Sequence, residues 1–161
     1  MKKRVVIFLD IDGVISVGWC KSKLTKWGLC PPLDKKCCDV LNALYDEIPY
    51  EIVISSDWRN QFSINNLREM FAHYNIKAPV IDITPNSGGY TPTNLEGGRI
   101  EEITLYLERN KDEILAWVAV DDLLMFQLEY FVCCPKWMQG IKQTGIKEKI
   151  IKELKLQING K

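Results

Sequence analysis

A chain of 161 residues with 21 Lys and Arg against 21 Asp and Glu carries no formal net charge. No broad pull toward nucleic acid or an anionic membrane is therefore built in, although a local basic patch is compatible with that sum. The length suits one domain, residues 1–161, large enough to fold around its own core; no apolar run approaches a membrane span.

Arg4 to Leu9 reads R-V-V-I-F-L, the continuous β-branched run of a strand buried on both faces, and it ends in Asp10-Ile11-Asp12-Gly13. Residues 14–33 lack periodicity and hold Gly18, Gly28, Pro31 and Pro32, which predicts a loop or small hairpin. Asp34 is placed to cap a helix with Cys37, Val40, Leu41 and Leu44 on its apolar face, closed by Pro49. Glu51 to Ile54 predicts a second strand ending at Ser55-Ser56. Ser63 then caps a helix whose inner face is Ile64, Leu67, Met70, Phe71 and Tyr74.

Pro79 to Ile83 predicts a short third strand, and Thr84 to Gly98 a long loop of the kind that is functional or mobile. A helix from about Arg99 to Asn110 turns Ile100, Ile103 and Leu107 inward. Trp117 to Val120 predicts a fourth strand ending at Asp121-Asp122, and Leu128 to Cys134 a fifth. Ile146, Ile150, Ile151, Leu154 and Ile158 stripe a last helix. Alternating strands and helices imply an α/β fold, a five-stranded parallel sheet with helices on both faces. Ligands of such sheets bind beyond the carboxyl ends of the strands, where Asp10, Asp12, Ser55, Ser56, Asp121 and Asp122 all fall.

Four carboxylates crowded at one edge need a cation or protonation. An all-oxygen donor set suits Mg²⁺, which shields a phosphate from an attacking carboxylate. Asp10 is then the candidate nucleophile and Asp12, two residues on, the candidate acid/base. A hydroxyl of Ser55 or Ser56 and the N–H groups beyond the strands are candidate donors to the phosphoryl oxygens. Arg99, after a Gly-Gly pair, is the candidate fixed cation, and Arg59 a second, able to grip the phosphate with a bidentate fork. Taken singly, each of these has an ordinary role: turn, helix cap, loop start or solvated cation. Their convergence on one edge is what favours chemistry.

These residues resemble the haloacid dehalogenase (HAD) superfamily. D-I-D-G-V at 10–14 is similar to its D-x-D-G-[TV] signature, the run into Ser55 to its second motif, and V-A-V-D-D at 118–122 to its acidic fourth motif. Where the third motif supplies Lys, this chain has Arg99. S-S-D-W-R at 55–59, T-P at 84–85 and R-I-E-E-I at 99–103 are similar to HAD domains associated with RNA repair, and the general scheme to polynucleotide 3′-phosphatase domains. The resemblance implies a Rossmann-like three-layer sandwich without a large cap. It also implies a Mg²⁺-dependent phosphatase with Asp10, Asp12, Asp121 and Asp122 around the metal. The substrate would be a nucleic-acid 3′-phosphate end or a small phosphorylated metabolite. A non-catalytic phosphate- or protein-binding module is the rival of another class.

Between Trp19 and Trp27 the chain sets three Lys among two Trp, a segment that in the family covers the site; it would stack a base or simply pack on the core. His73, the single histidine, reads as structural. The six cysteines form no C-x-x-C pair and no secretory signal precedes the first strand, so they read as reduced thiols of a cytoplasmic protein. The oligomeric state is open.

Overall fold

The computed structural model describes residues 3–18, 26–28, 33–88 and 94–160. Strand β1 (Arg4–Leu9) lies at the centre, because its side chains have apolar partners on both sides. Ile7 and Leu9 enter one core with helices α1 (Lys35–Glu47), α2 (Ile64–His73) and α4 (Ile146–Asn159). Val6 and Phe8 enter the other, against α3 (Leu95–Asn110), and all four are fully buried. This alternation makes a three-layer, Rossmann-like α/β sandwich without a large cap.

The sheet runs β3-β2-β1-β4-β5, with β2 (Glu51–Ile54), β3 (Val80–Ile83), β4 (Ile114–Asp121) and β5 (Phe131–Cys133), every neighbouring pair parallel. The chain winds outward from β1 in one direction and then returns to build β4 on its other side. The strand order thus reverses between β1 and β4, and a crevice opens beyond their carboxyl ends. Leu9 pairs in register with both Ile54 and Val120, so the residues that follow each strand emerge side by side.

Helix starts follow local chemistry. The Asp34 carboxylate accepts the Cys37 N–H at 2.9 Å, and Ser63 Oγ accepts that of Asn66 at 3.2 Å. Helix α3 differs from expectation, beginning at Leu95 and so including the glycine pair. The Asn94 side chain caps it by accepting the Gly97 N–H at 3.1 Å. A Cβ at position 97 would lie 2.3 Å from that cap, so this glycine admits the cap where the breaker rule places a loop. The Thr84 loop is correspondingly shorter. Strand β4 begins three residues earlier than expected, and β5 is confined to three residues, with Leu128 buried in the turn before it.

Because β5 pairs only with Ala119 to Asp121, the edge of β4 is bare at Trp117. Buried Gln157 of α4 covers it. Its Oε1 accepts the Trp117 N–H at 3.1 Å and its Nε2 donates to the Trp117 carbonyl at 2.7 Å, as a sixth strand's peptide would. The described cysteines, Cys37, Cys38, Cys133 and Cys134, are free thiols. Burial pushes Cys37 up to about 11 and Cys38 up to about 12, which keeps them protonated at neutral pH. Among the described residues, no helix is long and apolar enough to cross a membrane.

Removing the Gln157 amide strands a donor and an acceptor of β4. Gln157→Ala is expected to lose about 1–3 kcal/mol, read as a lower denaturant midpoint at unchanged slope. Asp34 provides a pH-dependent counterpart. Burial works to raise its pKa, but hydrogen bonds from Lys142 and the Cys37 N–H, with the Lys142 charge, bring it below the ordinary 3.8. A depressed carboxyl stabilises the fold above its unfolded pKa and loses that contribution as pH falls through the folded one. Asp34→Ala should cost about 1 kcal/mol near neutrality, and the gap from wild type should shrink below about pH 4 in urea titrations.

Candidate active site

Beyond β1 the chain turns sharply. The N–H groups of Val14, Ile15 and Ser16 all approach the Ile11 carbonyl, and Gly13 donates to Ser16. Gly13 sits at φ +73°, and a Cβ there would meet Asp122 Oδ2 at 2.4 Å. This position therefore needs glycine twice, for its conformation and for the approach of the turn to the end of β4.

The sequence-predicted acids come together unequally. Among the described residues, carboxylate oxygens of Asp10, Asp121 and Asp122 lie within 4.8 Å of one another. Asp10 is 6 % and Asp121 1 % exposed, while Asp122 is half-buried. Asp12 stands outside that group. It is exposed, and its Oδ2 accepts the indole N–H of Trp58 at 2.8 Å. Sequence reading placed all four acids around one cation; the geometry separates three from the fourth.

Arg99 holds the buried acids. Its Nη1 donates to Asp10 at 3.1 Å, to Asp121 at 3.0 Å and to the Ser55 carbonyl, while Nη2 lies 3.6 Å from Asp57. It reaches the site from the second turn of α3, since the helix starts earlier than the sequence suggested. Ser55 and Ser56 are both buried to 1 % exposure, but they differ. Ser56 Oγ accepts the Trp58 N–H at 3.4 Å and hydrogen-bonds the Asp10 carboxylate. Ser55 Oγ is buried without a hydrogen-bond partner.

Arg59 has a different setting from the one its type suggested. Its Nη1 donates to Thr84 Oγ1 at 3.0 Å and its Nη2 pairs with Glu102, both side chains nearly closed to solvent. Those two nitrogens are thus engaged inside the protein, not offered to a ligand. Glu102 lies one turn beyond Arg99 on α3, so the pair ties the Asp57–Asn60 turn to the helix that carries Arg99. Sequence reading missed Glu102 and Trp58. The only available signals were the i+3 spacing of Glu102 from Arg99 and the position of Trp58 inside S-S-D-W-R.

Electrostatics follow from this crowding. Burial pushes the Asp10 carboxyl up to about 6, against the opposing pull of Arg99, the Ile11 N–H and Ser56. Burial and then the charge of Asp10 raise Asp121 well above the carboxylate range, which Arg99 only partly offsets. Asp12 is raised by partial burial of its carboxyl and by the charges of Asp122 and Asp57, while the Trp58 N–H works the other way. One guanidinium thus faces a surplus of carboxylates, and Asp10, Asp121 and Asp12 are disfavoured as anions. An all-oxygen set with this excess negative charge suits a hard cation, and Asp10, Asp121 and Asp122 are the residues that could hold one.

The covering segment expected at Trp19–Trp27 lies mostly outside the described residues, as do Cys20 and Cys30. Trp27 is described: it packs edge-on against His73 at 5.3 Å between ring centroids and joins the core.

The reversal of strand order, the carboxyl-edge acids and the basic side chain between β1 and β4 together define a HAD-type α/β fold. The family described as the HAD domain in Swiss Army Knife RNA repair proteins matches residues 6–149, and the chain belongs to it. No curated protein and no solved structure matches the chain.

The Arg59–Glu102 pair is buried, so losing one partner leaves an uncompensated charge. Glu102→Ala should destabilise by about 3–5 kcal/mol, whereas the double variant Arg59→Met with Glu102→Leu should lose much less, in a double-mutant cycle by chemical denaturation.

Proposed function

We propose that this chain is a Mg²⁺-dependent phosphomonoester hydrolase that works through an aspartyl-phosphate on Asp10. The observation that carries the reading is the contrast between two acids two residues apart. Asp10 is buried and held by Arg99, whereas Asp12 is exposed and held through one oxygen by Trp58. Two carboxylates in unlike surroundings are suited to unlike roles.

In this scheme the Asp10 carboxylate attacks phosphorus as the bond to the leaving oxygen breaks. Asp12 delivers a proton to that oxygen, then takes one from the water that attacks the phosphoenzyme, releasing phosphate and restoring Asp10. Mg²⁺, when bound by Asp10, Asp121 and Asp122, neutralises phosphoryl charge that would repel the Asp10 carboxylate. Ser55 Oγ, buried and unpartnered, is the hydroxyl available to a phosphoryl oxygen. Arg99 keeps Asp10 oriented and supplies fixed positive charge. Arg59 supports the site from behind through Glu102.

The substrate we favour is a nucleic-acid 3′-phosphate end. Membership of a family described from RNA repair proteins supports it, and the lack of a large cap suits a bulky substrate. The zero net charge favours the second reading, a small phosphorylated metabolite such as a nucleotide or sugar phosphate.

The test is phosphate release from p-nitrophenyl phosphate, 3′-phosphorylated oligonucleotides and a panel of metabolites, with and without Mg²⁺. Hydrolysis should require Mg²⁺ and fall by about a thousandfold or more in Asp10→Asn. Preference for oligonucleotides supports the repair substrate, and preference for one metabolite replaces it. A folded protein that shifts its melting temperature with Mg²⁺ yet turns over no ester would make this a binding module.

A further inference from the structure

We propose that Trp58 is a positioning residue for Asp12: its indole N–H fixes Oδ2 and so leaves Oδ1 as the oxygen that exchanges protons with the leaving group. This rests on Asp12 being the acid/base. An indole N–H donates and never accepts, so the oxygen it touches is held as an acceptor. Among the described residues, no other side chain or N–H donates to Asp12. A proton carried by Asp12 therefore belongs on Oδ1.

The donor is rigidly mounted. Trp58 is 5 % exposed, its ring lies 5.7 Å from that of Phe62, and its carbonyl accepts the N–H groups of Gln61 and Phe62 at 3.0 and 2.8 Å. Neighbours in the same segment serve other groups of the site. Ser56 bonds Asp10, Asp57 lies beside Arg99, and Arg59 anchors the turn to Glu102. Four consecutive side chains thus meet four different acidic or basic groups. A purely structural Trp would satisfy its N–H on any buried carbonyl. This one reaches across 46 residues of sequence to an exposed carboxylate beside the nucleophile. Such contacts set geometry to the tolerance that proton transfer requires.

Leaving-group dependence separates positioning from packing. p-Nitrophenolate departs as a stable anion and needs little protonation, whereas an alkoxide needs the proton from Asp12. With full-length protein and Mg²⁺, kcat/KM is measured for p-nitrophenyl phosphate and for a simple alkyl phosphate in wild type and Trp58→Phe. The alkyl ester should lose about tenfold or more and the nitrophenyl ester less than about threefold. Equal losses on both esters, or none on either, would overturn the positioning role while leaving the phosphatase reading intact. Wild type hydrolysing neither these esters nor a 3′-phosphorylated oligonucleotide would remove both together. A second measurement needs neither turnover nor a folded Trp58 variant. The indole ¹H–¹⁵N resonance of Trp58, assigned in the native protein, should shift and exchange faster with solvent in Asp12→Ala. An unchanged resonance would show that the bond is not made.

Discussion

One guanidinium faces two buried carboxylates and a backbone carbonyl at the crevice between β1 and β4. Without Arg99, Asp10 and Asp121 would confront each other in a poorly solvated pocket, and burial already disfavours both as anions. The cation compensates only part of that charge, since Asp122, Asp57 and Asp12 stand close by. The remaining imbalance is what makes this edge a candidate site for a hard cation.

Much of the surrounding structure serves to hold that arrangement. Gly13 lets the β1 turn approach Asp122, Asn94 starts α3 early enough to bring Arg99 to the crevice, and Glu102 ties the same helix to Arg59. A buried ion pair is seldom a net gain in stability over apolar packing. Here it binds the helix that carries the cation to the turn that carries Ser56 and Trp58. What the pair fixes is the position of that helix against the turn.

The capless architecture bears on what the site can meet. Membership of the HAD family supports a phosphatase-type function for the domain, while fold membership alone leaves the substrate open. The acids and the donors lie at the sheet edge itself. Among the described residues, no large cap stands over that edge.

The strands, the parallel α/β class and the acidic edge were legible in the chain because apolar β-branched runs end abruptly in Asp or Ser, and a parallel sheet gathers those ends together. Asp10, Asp12, Asp121 and Asp122 could be singled out on that rule alone, whereas Arg99 was singled out as a cation at a helix start after a glycine pair. The glycine pair before Arg99 misled, because a local breaker rule does not foresee that Gly97 makes room for a cap. What only the tertiary structure decided was pairing. Arg59 meets Glu102 across 43 residues, Trp58 meets Asp12 across 46, and Arg99 meets Asp10 across 89. Residue type and spacing say which side chains can donate or accept. They do not say which will be neighbours, because that depends on strand order, helix register and the burial that excludes water as a competing partner.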